Sequence, residues 1–421
     1  MENERIAVSI ITIGDELMIG QVIDTNSAWI AQQLNAAGIW VKRRVAVGDS
    51  RSDIWKALDE EGRHSQIILI TGGLGPTADD ITKPLLSEYF GGKLITDTVV
   101  LKHVEQIFTR SGRPFTERNI KQAEVPENCE VLFNERGTAP GMWFEKEGRI
   151  YVSMPGVPYE MKGLMTGAVI PRLLKRFNPG NIIHQTLLTT GIGESFLADH
   201  IAAWESRLPA HIRLSYLPNF GMIRLRLTGL GADRQKLSDE MAAEFEKLKQ
   251  LTAQWLAADE DITMPQLVTK MLRERKKRLS TAESCTGGYI AHLITGQPGS
   301  SDVYNGSVVS YTNDLKKKLL HVEEDVLSRY GAVSEAIVRQ MAKGVLEATD
   351  SDYAIAVSGI MGPGGGSPEK PVGMVWVAAG DRQGIIAREF RFRHDRIRNI
   401  EHTANHALNL LRKYMLDGPS S

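Results

Sequence analysis

Cysteine is scarce: the 421 residues contain only Cys129 and Cys285. Two thiols make neither a disulfide framework nor a four-cysteine zinc site, and the usage fits a reducing compartment. An excess of charge of one sign is missing as well. Lys plus Arg is 50 and Asp plus Glu is 51, a formal net charge of −1. That balance gives no global electrostatic case for nucleic acid or an anionic membrane. Long apolar runs are absent too, since no stretch approaches the roughly 20 residues of a membrane helix. The opening MENERIAVSIITIGDEL has acidic residues before its apolar run, where a secretory signal needs a basic flank. The expectation is a soluble protein of the cytoplasm, with no membrane partner.

What is present is ordinary globular material, 42% hydrophobic and 24% charged. At about 150 residues per domain the length suggests two or three domains. IAVSIITI, from Ile6 to Ile13, is a β-branched run that reads as a buried parallel strand. A helical pattern ends at Gly38, VKRRVAVG reads as a second strand, and a helix capped by Ser52 or Asp53 follows. QIILIT is a third buried strand, stopped by Gly72 and Gly73. Strands alternating with helices predict a parallel α/β sheet to about residue 170. From HQTLLTTG the pattern changes: HIRLSYLPNFGMIRLRLTG predicts a hairpin around Pro218–Asn219 and Phe220–Gly221, followed by a long polar helix. This predicts a small α+β domain, and the acidic ADEDITMP reads as a linker. The α/β rhythm then returns, with strands at RLSTAES, DVYNGSVVSY, DYAIAVSG and GMVWVAAG and a last helix through IEHTANHALNLLRKYM.

Three loops that follow strands could carry chemistry. In TGGLGPTADD the glycines Gly72, Gly73 and Gly75 let backbone N–H groups approach a phosphate, with Thr77 beside them. Asp79 and Asp80 could hold a hard divalent cation, joined by Glu16, Asp24 and Glu160 from other predicted strand ends. The bland reading is a tight loop with an aspartate at a helix start. In AESCTGG, Ser284 sits on a strand-to-helix turn, where free N–H groups of the following helix could stabilise an oxyanion. A desolvated Lys316 is its candidate base. Cys285 is the rival nucleophile, and an idle helix start is the bland alternative. The third loop, SGIMGPGGGSPEKPVG, holds six glycines and three prolines between Ser358 and Gly373. That density favours a ligand-lining loop, although it lacks the spacing of an ATP-binding phosphate loop. His402 and His406, four apart on a helix, lack the glutamate of a zinc-protease motif and read as structural. Arg273 to Arg278 reads as a solvated helix end.

These motifs together resemble the CinA family, first named for competence and damage inducibility. GDELMIGQVIDTN, TGGLGPTADDIT, GTAPG, MPGVPYEM, YLPNFG, AESCTGG, YTNDLKKKLL, GAVSE and SGIMGPGGGSPEKPVG each resemble a family block, in family order, over nearly the whole chain. The resemblance implies an α/β protein in three parts. These are a molybdopterin-binding-like α/β domain over 1–172, a KH-type α+β domain over 173–257, and an α/β amidase domain over 258–421. It implies ADP-ribose pyrophosphatase activity for the first part, with a divalent metal ion whose identity among Mg, Mn and Co stays open. It implies a cofactor-free nicotinamide mononucleotide (NMN) amidase for the last. Carried over by motif, Ser284 is the nucleophile, Lys316 the base and Tyr311 a proton relay or orienting hydroxyl. Glu283, Thr286 and Gly287 shape the turn. The loop with Ser358, Gly359, Gly362 and Lys370 surrounds the nucleotide, and Arg396 takes its phosphate by guanidinium pairing. Two departures stand out. Gly191-Ile192-Gly193-Glu194 does not have the G-x-x-G spacing of a nucleic-acid-binding KH loop. The middle domain is therefore expected to arrange the enzyme domains or a homodimer, with small nucleotides as substrates and no nucleic-acid partner. Met361 stands where a small residue is expected, which would alter pocket width. The rival readings are a DNA-associated competence or repair factor and a molybdopterin-handling enzyme.

Overall fold

The computed structural model describes residues 6–77, 80–177 and 179–418. The chain divides into two compact units, 1–183 with 229–240, and 184–228 with 241–421.

The first unit is built on a six-stranded sheet. Its order is Trp40–Val47, Ala7–Ile13, Ile67–Thr71, Arg149–Met154, Gly141–Lys146 and Glu130–Leu132. The uninterrupted β-branched runs lie at the centre because both their faces are covered. Ile10 and Leu69 point to one apolar cluster with Val152 and Met161, while Ile11 and Ile70 point to another with Leu58 and Phe144. The alternation of clusters is the period of two of a strand. The first three pairings are parallel, as expected. The last two are antiparallel, so the sheet is mixed. Gly141–Lys146 and Arg149–Met154 are joined by a tight turn through Glu147 and Gly148, both in the left-handed region. That turn leaves no room for the crossover a parallel pair needs.

The middle segment runs strand, helix, strand, strand, helix, strand. Asn181–Thr190, Glu194–Glu205, Ile212–Asn219, Met222–Gly231, Arg234–Leu251 and Leu256–Ala258 follow in turn. With the first and third strands central in the four-stranded sheet, this is the split βαβ arrangement. The hairpin forms where expected: Phe220 (φ 50) and Gly221 (φ 72) are both left-handed, the requirement of a two-residue turn matching strand twist. The acidic stretch expected to be a linker is tied down instead. Its first residue, Ala258, pairs with Leu188, and Asp259 and Glu260 form ion pairs with Lys249 and Lys270.

The C-terminal sheet has the order Tyr304–Val309, Leu279–Glu283, Tyr353–Gly359, Met374–Gly380 and Ile385–Arg391. The first three are parallel and the last two antiparallel. Helix Glu335–Thr349 packs through Ile337, Met341 and Val345 against Ala354 and Ala356 on one face. Met264–Arg275 and Arg396–Asp417 pack against Ile355, Val357 and Val377 on the other. The last helix begins earlier than its apolar periodicity suggested, because Asp395 caps it by accepting from Arg398 N at 3.0 Å. The result places Glu283, at the end of the central parallel strand, beside the ends of its two neighbours. Ligands of open α/β sheets bind at such ends.

Candidate active site

Strand Leu279–Glu283 is fully buried, and its last residue is a glutamate with no exposed surface. A buried carboxylate is tolerated only when its oxygens are filled. Glu283 Oε2 accepts from Thr286 Oγ1 (2.6 Å), Gly288 N (3.1 Å) and Ile290 N (3.1 Å), and Oε1 accepts from Ala291 N (2.9 Å) and Thr281 Oγ1 (3.1 Å). It therefore caps helix Tyr289–Thr295 from the preceding strand. Between them the turn Ser284–Gly288 is drawn tight. Gly287 (φ 61) and Gly288 (φ 99) both lie in the left-handed region, which a side chain would strain. The first N–H groups of the helix, expected to be free for an oxyanion, are taken by Glu283. Outside that set are the N–H groups of Cys285 and Thr286, which directly follow Ser284.

Ser284 is held by its own N–H, which donates to Val357 O at 3.1 Å, on the neighbouring strand. Lys316 comes to it from helix Asn313–Leu320, whose cap, Thr312, accepts from Leu315 N. Lys316 Nζ lies 3.0 Å from Ser284 Oγ and 2.7 Å from the carbonyl oxygen of Ser310. The lysine is only 1% exposed. Burial pulls its pKa below the ordinary lysine value, because the charged form loses its hydration. Cys285, the rival nucleophile, is buried, and its thiol is pushed up to about 12. It therefore stays protonated at neutral pH, without the thiolate a cysteine nucleophile needs.

Tyr311 is exposed, and its hydroxyl accepts from Arg396 Nη2 at 3.0 Å. Arg396 Nη1 donates to Gly362 O at 2.7 Å. The guanidinium thus ties the last helix to the glycine-rich loop and to the tyrosine. Ser358 is turned away from this rim and donates to Ala332 O at 2.8 Å. Lys370 Nζ donates to Tyr330 O at 2.6 Å, and Gly359 is closed against Val375 and Met374. Thr286, Glu283 and Ser358 thus spend their polar side-chain atoms on the protein. Met361 does not narrow a pocket: it is 3% exposed and belongs to the core. Its carbonyl is fixed by Asn399 Nδ2 at 3.1 Å. Asn399 and Ser310 were not singled out from the sequence. The signal for Ser310 was its place just before Tyr311 and the cap Thr312. Asn399 carried none. Beside the turn, a cavity of 340 Å³ is bounded by Gly287, Tyr289, Ile397 and Glu401.

In the first unit, Gly72 (φ 119) follows strand Ile67–Thr71, and a Cβ there would lie 2.1 Å from Ile13 O. Gly73 is left-handed as well. Asp80 folds the loop by accepting from Gly75 N (2.8 Å), Thr77 N (2.9 Å) and the Thr77 hydroxyl. Asp24 caps helix Thr25–Ala36 through Ser27 N (2.9 Å) and accepts from Thr12 Oγ1 (2.9 Å). Glu160 accepts from Asn134 at 2.7 Å, and burial raises its pKa. Glu16 turns back over Gly14. Asp79 lies outside the described residues. Among the described residues no three acidic, histidine or cysteine side chains converge to hold a metal ion. Asp80 serves its own loop, Asp24 its own helix and the strand at Thr12, and Glu160 the loop at Asn134. Asn26 is what joins two of the loops, donating to Thr71 Oγ1 (3.3 Å) and Gly156 O (2.7 Å). Among the described residues no helix is long and apolar enough to cross a membrane.

Comparison with known proteins gives three family matches along the chain. Residues 9–175 match the "Probable molybdopterin binding domain", residues 184–255 the "Damage-inducible protein CinA KH domain" and residues 261–415 the "CinA C-terminal domain". A CinA-like protein of Cytophaga hutchinsonii is 43% identical over 98% of this chain and 99% of its own length. Another from Flavobacterium psychrophilum is 42% identical over 97% of this chain and 98% of its own. A crystal structure of the competence/damage inducible protein CihA from Agrobacterium tumefaciens is 41% identical, with a TM-score of 0.35, over 35% of this chain and 91% of that one.

Proposed function

This chain belongs to the CinA family, and on that premise we propose that its C-terminal domain is a serine amidase that converts NMN to nicotinic acid mononucleotide and ammonia. The observation that carries the proposal is the buried contact of Lys316 Nζ with Ser284 Oγ at 3.0 Å. Burial favours the neutral amine, which can take the serine proton. Ser284 Oγ then bonds to the carboxamide carbon, and the carbonyl oxygen becomes an oxyanion facing the N–H groups of Cys285 and Thr286. Lys316 returns its proton to the nitrogen, the C–N bond breaks and ammonia leaves. Water, deprotonated by the same lysine, attacks the ester and releases the carboxylic acid with Ser284 restored. Arg396 is the proposed partner of the substrate phosphate, and Tyr311 fixes its guanidinium. The resemblance expects no metal for this step.

The test is ammonia release from NMN by wild type and Ser284→Ala, with and without a chelator. Release that survives the chelator and vanishes in the variant supports the proposal. No release from wild type, or undiminished release from the variant, overturns it.

For the N-terminal unit we propose binding of a pyrophosphate-bearing nucleotide, with ADP-ribose the substrate that the resemblance implies. The support is the place of the Gly72–Gly73 turn at the end of a central parallel strand, where ligands of open α/β sheets bind; the Gly72 N–H itself is spent on Met154 O at 3.2 Å. The resemblance also expects a divalent ion here. The described acidic residues do not form a set that fits one, so no step is derived through it. Titration of ADP-ribose against the full chain tests the binding, and no heat at millimolar concentration would contradict it.

A further inference from the structure

Away from Ser284, a second cavity of 340 Å³ opens between the Gly191–Gly193 loop and the last helix. Its charged side chains are Arg388, on the edge strand, and Lys413, on the helix. Among the described residues lining it none is acidic. Neither cation forms an ion pair with another described residue of the cavity wall, which carries no carboxylate to neutralise them. Lys413 is held below the ordinary lysine value by burial, with Arg388 and Arg412 adding repulsion and Asp417 opposing it. Arg388 is exposed and Lys413 half-buried, and like charges brought together at one cavity favour an anion between them.

Three further features point into the same space. Asn409 is nine-tenths buried and lines the cavity. Its carbonyl oxygen accepts from Arg412 Nε at 2.9 Å, which leaves the amide N–H pair for the cavity. Gly193, which lines the cavity, begins helix Glu194–Glu205, 12 residues long, whose first N–H groups take no side-chain cap and whose first turn carries Glu194. His406 contributes no charge, since burial pulls its pKa down to about 4. Donors thus converge from a strand, a helix and a loop. An anion with several acceptor oxygens, such as a phosphate, can meet donors from more than one wall. Phe390, Met222 and Leu410 supply apolar walls beside the cations.

We propose that this cavity is a binding site for a phosphomonoester carried on a small, partly apolar body such as a nucleoside. The cations hold the phosphate and Phe390 lies against the body. None of its residues belongs to the proposed amide-hydrolysing machinery, so the site stands or falls independently of that activity.

The test is calorimetric titration of the full chain with AMP, orthophosphate and adenosine. Wild type, Arg388→Gln/Lys413→Gln and Ile192→Asp are compared, with ammonia release from NMN as the control for an intact active site. The expected result is an AMP-binding component that orthophosphate competes for and adenosine does not. It should weaken at least about tenfold in the double variant, the scale of lost charge-assisted contacts. Ile192→Asp places a carboxylate beside the same cations. It should remove the component and raise the melting temperature of the ligand-free chain. An identical AMP isotherm in wild type and both variants, or no AMP binding by wild type, overturns the proposal.

Discussion

A lysine buried against a serine is a base only while it is neutral, so the chemistry of Lys316 follows from its burial. Its pKa is lowered, so amide hydrolysis should rise with pH through a value below the ordinary 10.5 of lysine and should not fall again in the alkaline range. A kcat/KM profile in NMN checks this; a rise centred at or above 10.5, or activity that falls as the pH rises, contradicts it. Lys316→Arg retains a cation that cannot give up its proton in this range, so kcat should drop by about 10³-fold or more with the circular dichroism spectrum unchanged. Glu283 is a different case. Its oxygens accept from six donors, so Glu283→Gln turns an amide N–H toward N–H groups. It should cost about 1–3 kcal/mol in urea unfolding. The residue types of the site were legible in the sequence, because a serine on a glycine turn and a lysine one helix later are recognisable. Lys316 is legible as the candidate base of Ser284, but spacing alone gives no geometry for the pair. Ser284 and Lys316 are 32 residues apart, and Tyr311 and Arg396 are 85 apart, distances across which spacing carries no geometry.

Elements were legible in proportion to their burial. IAVSIITI and QIILIT are covered on both faces and read as unbroken apolar runs, whereas Ile385–Arg391 is an edge strand carrying charges and has no such signature. For the same reason the antiparallel margins of both α/β sheets were missed. Parallel order was expected from the alternation of helices and strands, but Gly141–Lys146 and Met374–Gly380 each turn back onto the next strand through a short turn, and Tyr353–Gly359 is joined to Met374–Gly380 by the glycine-rich loop rather than by a helix. The turn after Thr71 offers a direct check on strand-end packing. Gly72→Ala would place a methyl 2.1 Å from Ile13 O with φ at 119. It should destabilise the chain by more than about 1 kcal/mol in urea unfolding; a loss within error would contradict the close approach.

At the scale of the whole molecule, composition excluded classes and motif order indicated the family, while the compact units follow contacts that the sequence does not display. The sheet of the middle segment illustrates this. Its short last strand, Leu256–Ala258, lies at the edge of what reads as a linker. If the two proposed activities use separate sites, Ser284→Ala should abolish ammonia release and leave ADP-ribose binding unchanged, with both measured on the full chain. Loss of both together would contradict separate sites. The central claim is that amide cleavage passes through an ester on Ser284. Acid-quenched wild type incubated with NMN, digested and examined by peptide mass spectrometry, tests it most directly. The account predicts an acyl adduct on Ser284 that is absent from Ser284→Ala. An adduct on Cys285, or full turnover by Ser284→Ala, would contradict it.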